Sequence, residues 1–279
     1  MTVDDLIAGT KDRLAVPALL AEDPLKEARE LIAHALGTIP SRLEGGRAVD
    51  LRAHEEFLGL LSRRLNEEPT GYIVGAVELL GLRFKVDRRG FIPRFDLPVL
   101  IQAGLAELPV DTRGFGLDLA CGIGAAGICV AHARPGLQVD LADVSAEAIE
   151  LARENGDLLV PGRCHAYAGD LFDPLPRGRR YAVITANPPW VPDGTYLPSE
   201  VIDHEPVVSF FGGPDGLNIV RRIIRELPQW LAQGGIYAQE CDPSQIEKVI
   251  ALLEESGLRG MRTHEDGEGV RRVVSGRLP

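Results

Sequence analysis

Cysteine is scarce in this 279-residue chain: Cys121, Cys129, Cys164 and Cys241 stand far apart and form no CxxC pair. That spacing signals neither a zinc site nor a disulfide framework, and it fits reduced, buried thiols. Positive charge is also short, with 30 Lys and Arg against 41 Asp and Glu, a net charge of −11 and a pI near 5.1. The deficit argues against a broad basic footprint for duplex nucleic acid or anionic lipid, and a basic partner is easier to accommodate. No apolar run approaches the ~20 residues of a membrane span. The opening MTVDDLIAGTKDRLAVPALL carries Asp4 and Asp5 where a leader would carry its basic region. No internal repeat or low-complexity tract is present. The expectation is a cytoplasmic globular protein with no metal site, no membrane association and no direct nucleic-acid partner.

With 45% hydrophobic residues the chain can bury a sizeable core in one large or two ordinary domains. From Val3 to about Pro69 apolar residues recur every three or four positions, as in KEARELIAHALG and HEEFLGLLSRRLNEE, with Gly37 placed as a C-cap. This predicts a small N-terminal helical domain over residues 1–70. TGYIVGAVELLGLRFKVDRRGFIPRFD then shows short β-favouring runs punctuated by Gly71, Gly75, Gly81 and Gly90, which predicts a β-hairpin linker over residues 71–95. Beyond it strand-like runs alternate with amphipathic helices, from FGLDLA through YAVITAN to RRVVSGRL. The alternation predicts an α/β domain over residues 96–279, built on a doubly wound, Rossmann-like parallel sheet.

Ligands of such sheets bind at the carboxyl ends of the strands. In LDLACGIGAAG a strand runs into a turn where Gly122, Gly124 and Gly127 match G-x-G-x-x-G, so the backbone can approach a ligand closely at a helix N-terminus. Asp143 follows Gly124 by 19 residues, where its carboxylate can accept both hydroxyls of a ribose. The plainer alternative is a helix N-cap, for which Ser145 competes. Together these features point to a nucleoside-containing cofactor. The glycine spacing suits a dinucleotide equally well, but Asp118 beside the loop complements a cationic amino-acid tail and would repel a pyrophosphate. S-adenosylmethionine is therefore the expected cofactor. In AGDLF, Asp170 ends a strand and could accept from an adenine amine with Leu171 against the ring; a simple turn is the alternative.

A third strand end, VITANPPW, is the most specific. The prolines restrict Asn187 to an extended backbone and aim its side chain in one direction. The Asn187 side-chain oxygen and the Pro188 carbonyl can then accept two hydrogen bonds from a planar –NH2 group, with Pro189 stiffening the loop and Trp190 walling the site. A stiff proline-rich loop with a packed tryptophan is the alternative. Weaker candidates are His204 and Glu205 in DHEP, read as structural or pocket-lining, Arg271 and Arg272, read as flanking an edge strand, and RRIIRE, read as a solvated face.

GYIVG, FIPRFD, LDLACGIGAAG, DVSAEAIELARENG, GDLF, NPPW, HEPVVSFFGGPDGLNIVRRII and EGVRRVVSGR occur in an order and spacing that resemble the HemK/PrmC-type glutamine methyltransferases. The resemblance spans both halves of the chain. It implies an α-helical substrate-recognition domain, a hairpin linker and a seven-stranded class I methyltransferase domain. It also implies cofactor contacts from Ala120, Cys121, Gly122, Ile123 and Gly124 and from Asp143, Leu171 and Asn187. A glutamine, in the GGQ loop of a peptide-chain release factor, would lie against Asn187, Pro188, Pro189 and Trp190. Two departures stand out: Trp190 replaces the family's usual tyrosine, and IPRFDLP stands where I-P-R-P-x-T-E is usual. The alternative acceptor is a small molecule or free amino acid bearing an amide, guanidine or amine nitrogen.

Overall fold

The computed structural model describes residues 1–15, 19 and 23–279. Helices α1 (Val3–Leu14), α2 (Pro24–Ala35), α3 (Leu51–Leu65) and α4 (Thr70–Val74) precede the hairpin β1 (Ala76–Leu79) and β2 (Leu82–Lys85), which leads to α5 (Leu97–Leu105). Strands and helices then alternate through β3 (Gly114–Leu119), α6 (Ala125–Ala133), β4 (Leu137–Asp143), α7 (Ala146–Leu159), β5 (Cys164–Ala168) and β6 (Tyr181–Ala186). The chain closes with α8 (Ser199–Ile202), α9 (Asn218–Trp230), β7 (Leu231–Glu240), α10 (Ile246–Glu255), β8 (Arg259–Glu265) and β9 (Arg271–Arg277). It divides into two compact units, residues 1–76 with 197–205 and residues 77–196 with 206–279.

In the first unit the helix starts are written locally. Thr2 forms a capping box with Asp5, and Asp23 and Asp50 cap α2 and α3 through their carboxylates. Gly37 follows α2 at φ 61°, where a side chain would be strained. Val3, Leu31, Ile32, Phe57, Leu61 and Ile73 share one core. TGYIV, expected as part of the hairpin linker, is instead the helix α4. Burial of Tyr72, Ile73 and Val74 overrides their β preference, and Gly75 ends the turn at φ 70°. The segment 197–205 joins this unit because Arg64, 0% exposed, pairs with Glu27 at 2.8 Å and with Glu200 at 3.1 Å. The Ser199 hydroxyl adds a bond to Glu67.

The second unit holds a seven-stranded sheet in the order β5-β4-β3-β6-β7-β9-β8, the strand number that the resemblance implies. The first five of these are parallel, and β9 runs antiparallel to both β7 and β8. RGMRTHE shows no alternation because β8 is a largely exposed edge strand whose charged side chains protect the edge. Arg271 and Arg272 therefore open an interior strand and do not flank an edge. Trp230, the last residue of α9, stacks on the buried Phe172 and Tyr181, with Phe172 and Trp230 centroids 5.3 Å apart. Burial pushes the thiols of Cys129, Cys164 and Cys241 up to about 12, which leaves them unreactive. No helix among the described residues is long and apolar enough to cross a membrane.

Asn155, fully buried on α7, ties the hairpin to the sheet. Its Oδ1 accepts the Lys85 N–H at 2.8 Å, and its Nδ2 donates to the carbonyls of Lys85 at 3.0 Å and Ile123 at 3.2 Å. Ile123 belongs to the glycine-rich loop, so one side chain joins the linker to that turn. Asn155→Ala is expected to lower the unfolding free energy by about 1–3 kcal/mol, the cost of leaving buried backbone groups unpaired. Urea unfolding reads the loss and limited proteolysis near Lys85 reads the loosened hairpin; an unchanged variant in both assays would remove the tie from the account.

Candidate active site

Parallel pairing sets five strand ends at one level. Leu119 pairs with Ala142 on one side and Ala186 on the other; Ala142 pairs with Tyr167, and Ala186 with Gln239. The next residue along each strand is Ala120, Asp143, Ala168, Asn187 or Glu240. The winding reverses between β3 and β6, which makes this end the switch point where a ligand crevice opens. The sequence-predicted Gly loop and Asn187 thus leave neighbouring strands side by side.

After β3 the chain turns through Ala120, Cys121, Gly122, Ile123 and Gly124 into α6. Gly122 and Gly124 take φ of 52° and 81°, and Ala120 sits at 55°, a left-handed conformation that costs a non-glycine residue about 1–3 kcal/mol and marks functional turns. Leu171 shares this feature at φ 49°. A Cβ at Gly127 would lie 2.4 Å from Leu141 and 2.8 Å from the Asp118 Cβ, so only glycine lets α6 pack this close to β3 and β4.

Asp118 is 2% exposed; its Oδ2 accepts the Gly127 N–H at 2.8 Å and its Oδ1 the Thr185 hydroxyl at 3.0 Å. Burial pushes its pKa up to about 7, Asp143 adds to the rise, and the two hydrogen bonds oppose it. In this geometry Asp118 braces the loop with both carboxylate oxygens already engaged. Asp143 accepts the Gly122 N–H at 2.8 Å and the Ser145 N–H at 2.9 Å, while Ser145 caps α7 by accepting the Ala148 N–H at 3.2 Å. The cap belongs to Ser145, and each Asp143 oxygen keeps a further lone pair. Asp170 is exposed and paired with Arg222 at 2.6 Å, an arginine from the helix face expected to be merely solvated. His204 and Glu205 lie in the segment 197–205 of the other unit.

Asn187 to Trp190 is held from behind. Gln245 donates to the Trp190 carbonyl at 2.9 Å and to the Asp215 carbonyl at 3.1 Å. Val191 bridges to the 210–212 segment through its N–H to the Phe210 carbonyl at 2.9 Å, and the Gly212 N–H returns to the Val191 carbonyl at 2.9 Å. A Cβ at Gly212 would lie 2.4 Å from the Pro189 carbonyl and one at Gly216 2.0 Å from the Trp190 carbonyl. These glycines of FFGGPDGL let one loop back the other.

Sequence reasoning missed Glu240. It is 3% exposed and level with Asn187, its Oε2 is buried without a hydrogen-bond partner among the described residues, and the donors of the Trp190 and Asn187 side chains favour its ionised form. Burial pushes its pKa up to about 8, with Asp96 acting in the same direction and Arg272 against it. Arg272 itself pairs with Asp266 at 2.8 Å and lies 5.8 Å from the Phe95 ring. The one signal was a carboxylate ending the apolar run of GGIYAQE beside the NPPW strand.

The pH dependence of stability follows from Asp118. Its folded pKa lies above the ordinary 3.8, so its contribution is fully present below that value and is lost as pH rises towards about 7. Asp118→Asn is expected to flatten the fall in thermal stability over that interval. Parallel pH profiles for variant and wild type would show that burial does not raise this carboxyl.

The family model of the PrmC N-terminal domain matches residues 8–75, and that of the methyltransferase small domain matches residues 102–202. The ribosomal protein uL3 glutamine methyltransferase of Xylella fastidiosa (strain Temecula1) is 36% identical over 91% of this chain and 84% of its own length. The release factor glutamine methyltransferase of Neisseria gonorrhoeae is 33% identical over 92% of this chain and 95% of its own length. A T. thermophilus 16S rRNA methyltransferase, solved with AdoMet and guanosine, shares the fold with a TM-score of 0.54 at 18% identity, over 73% of this chain and 50% of its own. With matched domains in both halves and relatives above 30% identity along nearly its whole length, the chain belongs to the HemK/PrmC-type family of protein glutamine methyltransferases.

Proposed function

We propose that this protein methylates the side-chain amide nitrogen of a glutamine in a protein, using S-adenosylmethionine, with the GGQ loop of a peptide-chain release factor as acceptor. The observation that carries the reading is Asn187–Pro188–Pro189–Trp190, backed by Gln245, Gly212 and Gly216, emerging level with the glycine-rich loop at the switch point. The loop fits the cofactor: a Cβ at Gly122 would meet nothing within 4 Å, so its outer side is open, and Asp143 retains lone pairs for a ribose. Residues 120–124, Asp143, Leu171 and Asn187 would hold it, with Asp118 acting through the loop. The bound cofactor supplies an electrophilic methyl group.

Everything else falls to the chain. Asn187 Oδ1 and the Pro188 carbonyl accept the two N–H bonds of the acceptor amide and turn its nitrogen towards the methyl. An amide nitrogen is a poor nucleophile, and orientation supplies the deficit, up to roughly 7–11 kcal/mol. As the nitrogen gains positive charge its N–H bonds to these fixed acceptors strengthen, so their effect is greatest in the transition state. The Trp190 ring closes the site and offers its face to cationic charge, worth about 0.5–2 kcal/mol. The helical unit, matched to the PrmC N-terminal domain, serves as the recognition domain. A second acceptor, a glutamine of ribosomal protein uL3, is favoured by relatives so named at 36% identity over 91% of the chain.

Two tests follow. Calorimetry is expected to show S-adenosylhomocysteine binding without a response to NAD, and Asp143→Ala to weaken that binding by about 1–3 kcal/mol; tight NAD binding alone would overturn the cofactor. Labelled S-adenosylmethionine offered with recombinant release factor or uL3 is expected to mark a protein and not the small-molecule fraction. In that assay Asn187→Ala is expected to lower kcat by about 10²–10³ with little change in cofactor affinity. Trp190→Tyr should keep part of the activity and Trp190→Ala little. A folded Asn187→Ala enzyme at wild-type rate would sink the mechanism.

A further inference from the structure

Asn187 can accept a hydrogen bond through its oxygen or donate through its nitrogen, and only the first orientation serves the acceptor amide. Nothing in the Asn-Pro-Pro backbone selects between them, because a 180° turn of the amide leaves its shape almost unchanged. The selecting group has to be a neighbour of fixed polarity. Glu240 is that neighbour: the Ala186–Gln239 pairing of β6 with β7 sets it level with Asn187, and it is 3% exposed. Its Oε2 is buried without a hydrogen-bond partner among the described residues, and the Trp190 and Asn187 side chains, whose only donors are the indole N–H and the amide nitrogen, favour its ionised form.

We propose that Glu240 is the positioning residue of the site: by holding the nitrogen of Asn187 and the indole N–H of Trp190, it turns the Asn187 oxygen to the acceptor and fixes the plane of the tryptophan wall. An ionised carboxylate only accepts, so it permits one amide orientation. The neutral acid can donate to the Asn187 oxygen and permits the reversed one. The charged groups around Glu240 are Asp96 at the start of α5, which opposes its ionisation, and Arg272 on β9, which favours it. Arg272 and Arg94 favour ionisation of Asp96, and Asp266 opposes it. Burial of both carboxyls favours their neutral forms. Ionisation of Glu240 would thus switch the clamp on as pH rises, and the cationic charge brought by the bound cofactor would favour it. The arrangement also gives Trp190 a role a plain apolar wall would lack.

The inference rests on the glutamine methyl-transfer reading, and one of its tests does not use turnover. The chain has two tryptophans, Trp190 and Trp230, and Trp230 is stacked in the core against Phe172 and Tyr181. In ¹H–¹⁵N spectra of the full chain, the Trp190 indole resonance is expected to shift with pH on the alkaline side of neutrality, while that of Trp230 stays fixed and reports an intact core. Trp190→Phe assigns the pair, and Glu240→Gln should abolish most of the shift. An indole resonance of Trp190 indifferent both to pH and to Glu240→Gln overturns the proposal, whatever the acceptor proves to be.

The kinetic arm uses methyl transfer to a recombinant glutamine acceptor. Wild-type kcat should rise through the same pH interval as the indole shift. Glu240→Gln should lose about tenfold or more in kcat and flatten that limb, with cofactor affinity held within about threefold, because the lost effect concerns the acceptor's orientation. Glu240→Leu should lose more, since glutamine keeps one acceptor oxygen. Wild-type kcat in a Glu240→Gln enzyme whose Trp230 signal is intact overturns the positioning role. If the wild type methylates no glutamine while the indole titrates as expected, the clamp stands and the acceptor assignment fails.

Discussion

The parallel register that sets Leu119 beside both Ala142 and Ala186 is the constraint on which every other feature of the site depends. A slip of one residue in β6 would move its end by about 3.3 Å and turn its side chains to the opposite face. Asn187 would then leave the level of the glycine-rich loop, and Glu240 would lose its place beside it. Asp118 and Thr185, partners in that register, are also joined by a hydrogen bond at 3.0 Å, so the pairing is marked by a side-chain contact inside the sheet. The same Asp118 reaches Gly127 at the start of α6. One buried carboxylate therefore links the strand holding the proposed cofactor loop, the strand holding the proposed clamp, and α6, the helix that follows the loop.

Burial of carboxylates is costly, and three of them, Asp118, Asp143 and Glu240, gather at this end of the sheet with pKa values raised by desolvation. A protein under selection for stability alone would replace them with apolar residues of similar volume. Their retention makes sense beside a ligand that brings positive charge. A sulfonium, an α-ammonium and a nitrogen becoming cationic during transfer would all favour the ionised forms. The same charges would repel a pyrophosphate, which is the electrostatic reason to prefer a sulfonium cofactor to a dinucleotide at a glycine pattern the two share.

Local chemistry made much of this legible in the sequence. Gly122, Gly124 and Gly127 announce a tight turn because their need for positive φ or close approach is a property of each residue alone, and Asn187 is conspicuous because two prolines follow it. The α/β alternation likewise needs no long-range information. What escaped is what depends on neighbours distant in the chain. TGYIV has the composition of a strand and becomes a helix because its side chains bury against α2 and the rest of the helical core. Glu240 ends an unremarkable buried strand, and its significance lies in Asn187 on the neighbouring strand, more than fifty positions earlier. Asn155 looks like one polar residue on an amphipathic helix until its contacts with Lys85 and Ile123 are seen.

The two departures from the family pattern, at Trp190 and in IPRFDLP, look unrelated in sequence, yet both border Glu240. The Trp190 side chain favours its ionised form, and Asp96 opens α5 as the acid that raises its pKa. Phe95, in the position of the family's second proline, lies beneath Arg272, the cation that opposes that rise. Replacing a phenol by an indole changes where the donor sits on the ring, and a carboxylate accepts wherever a donor is offered. If Glu240 positions Asn187 as proposed, the linker and the clamp are coupled through one buried carboxyl group. On that proposal, variation in this linker would alter turnover without touching the acceptor.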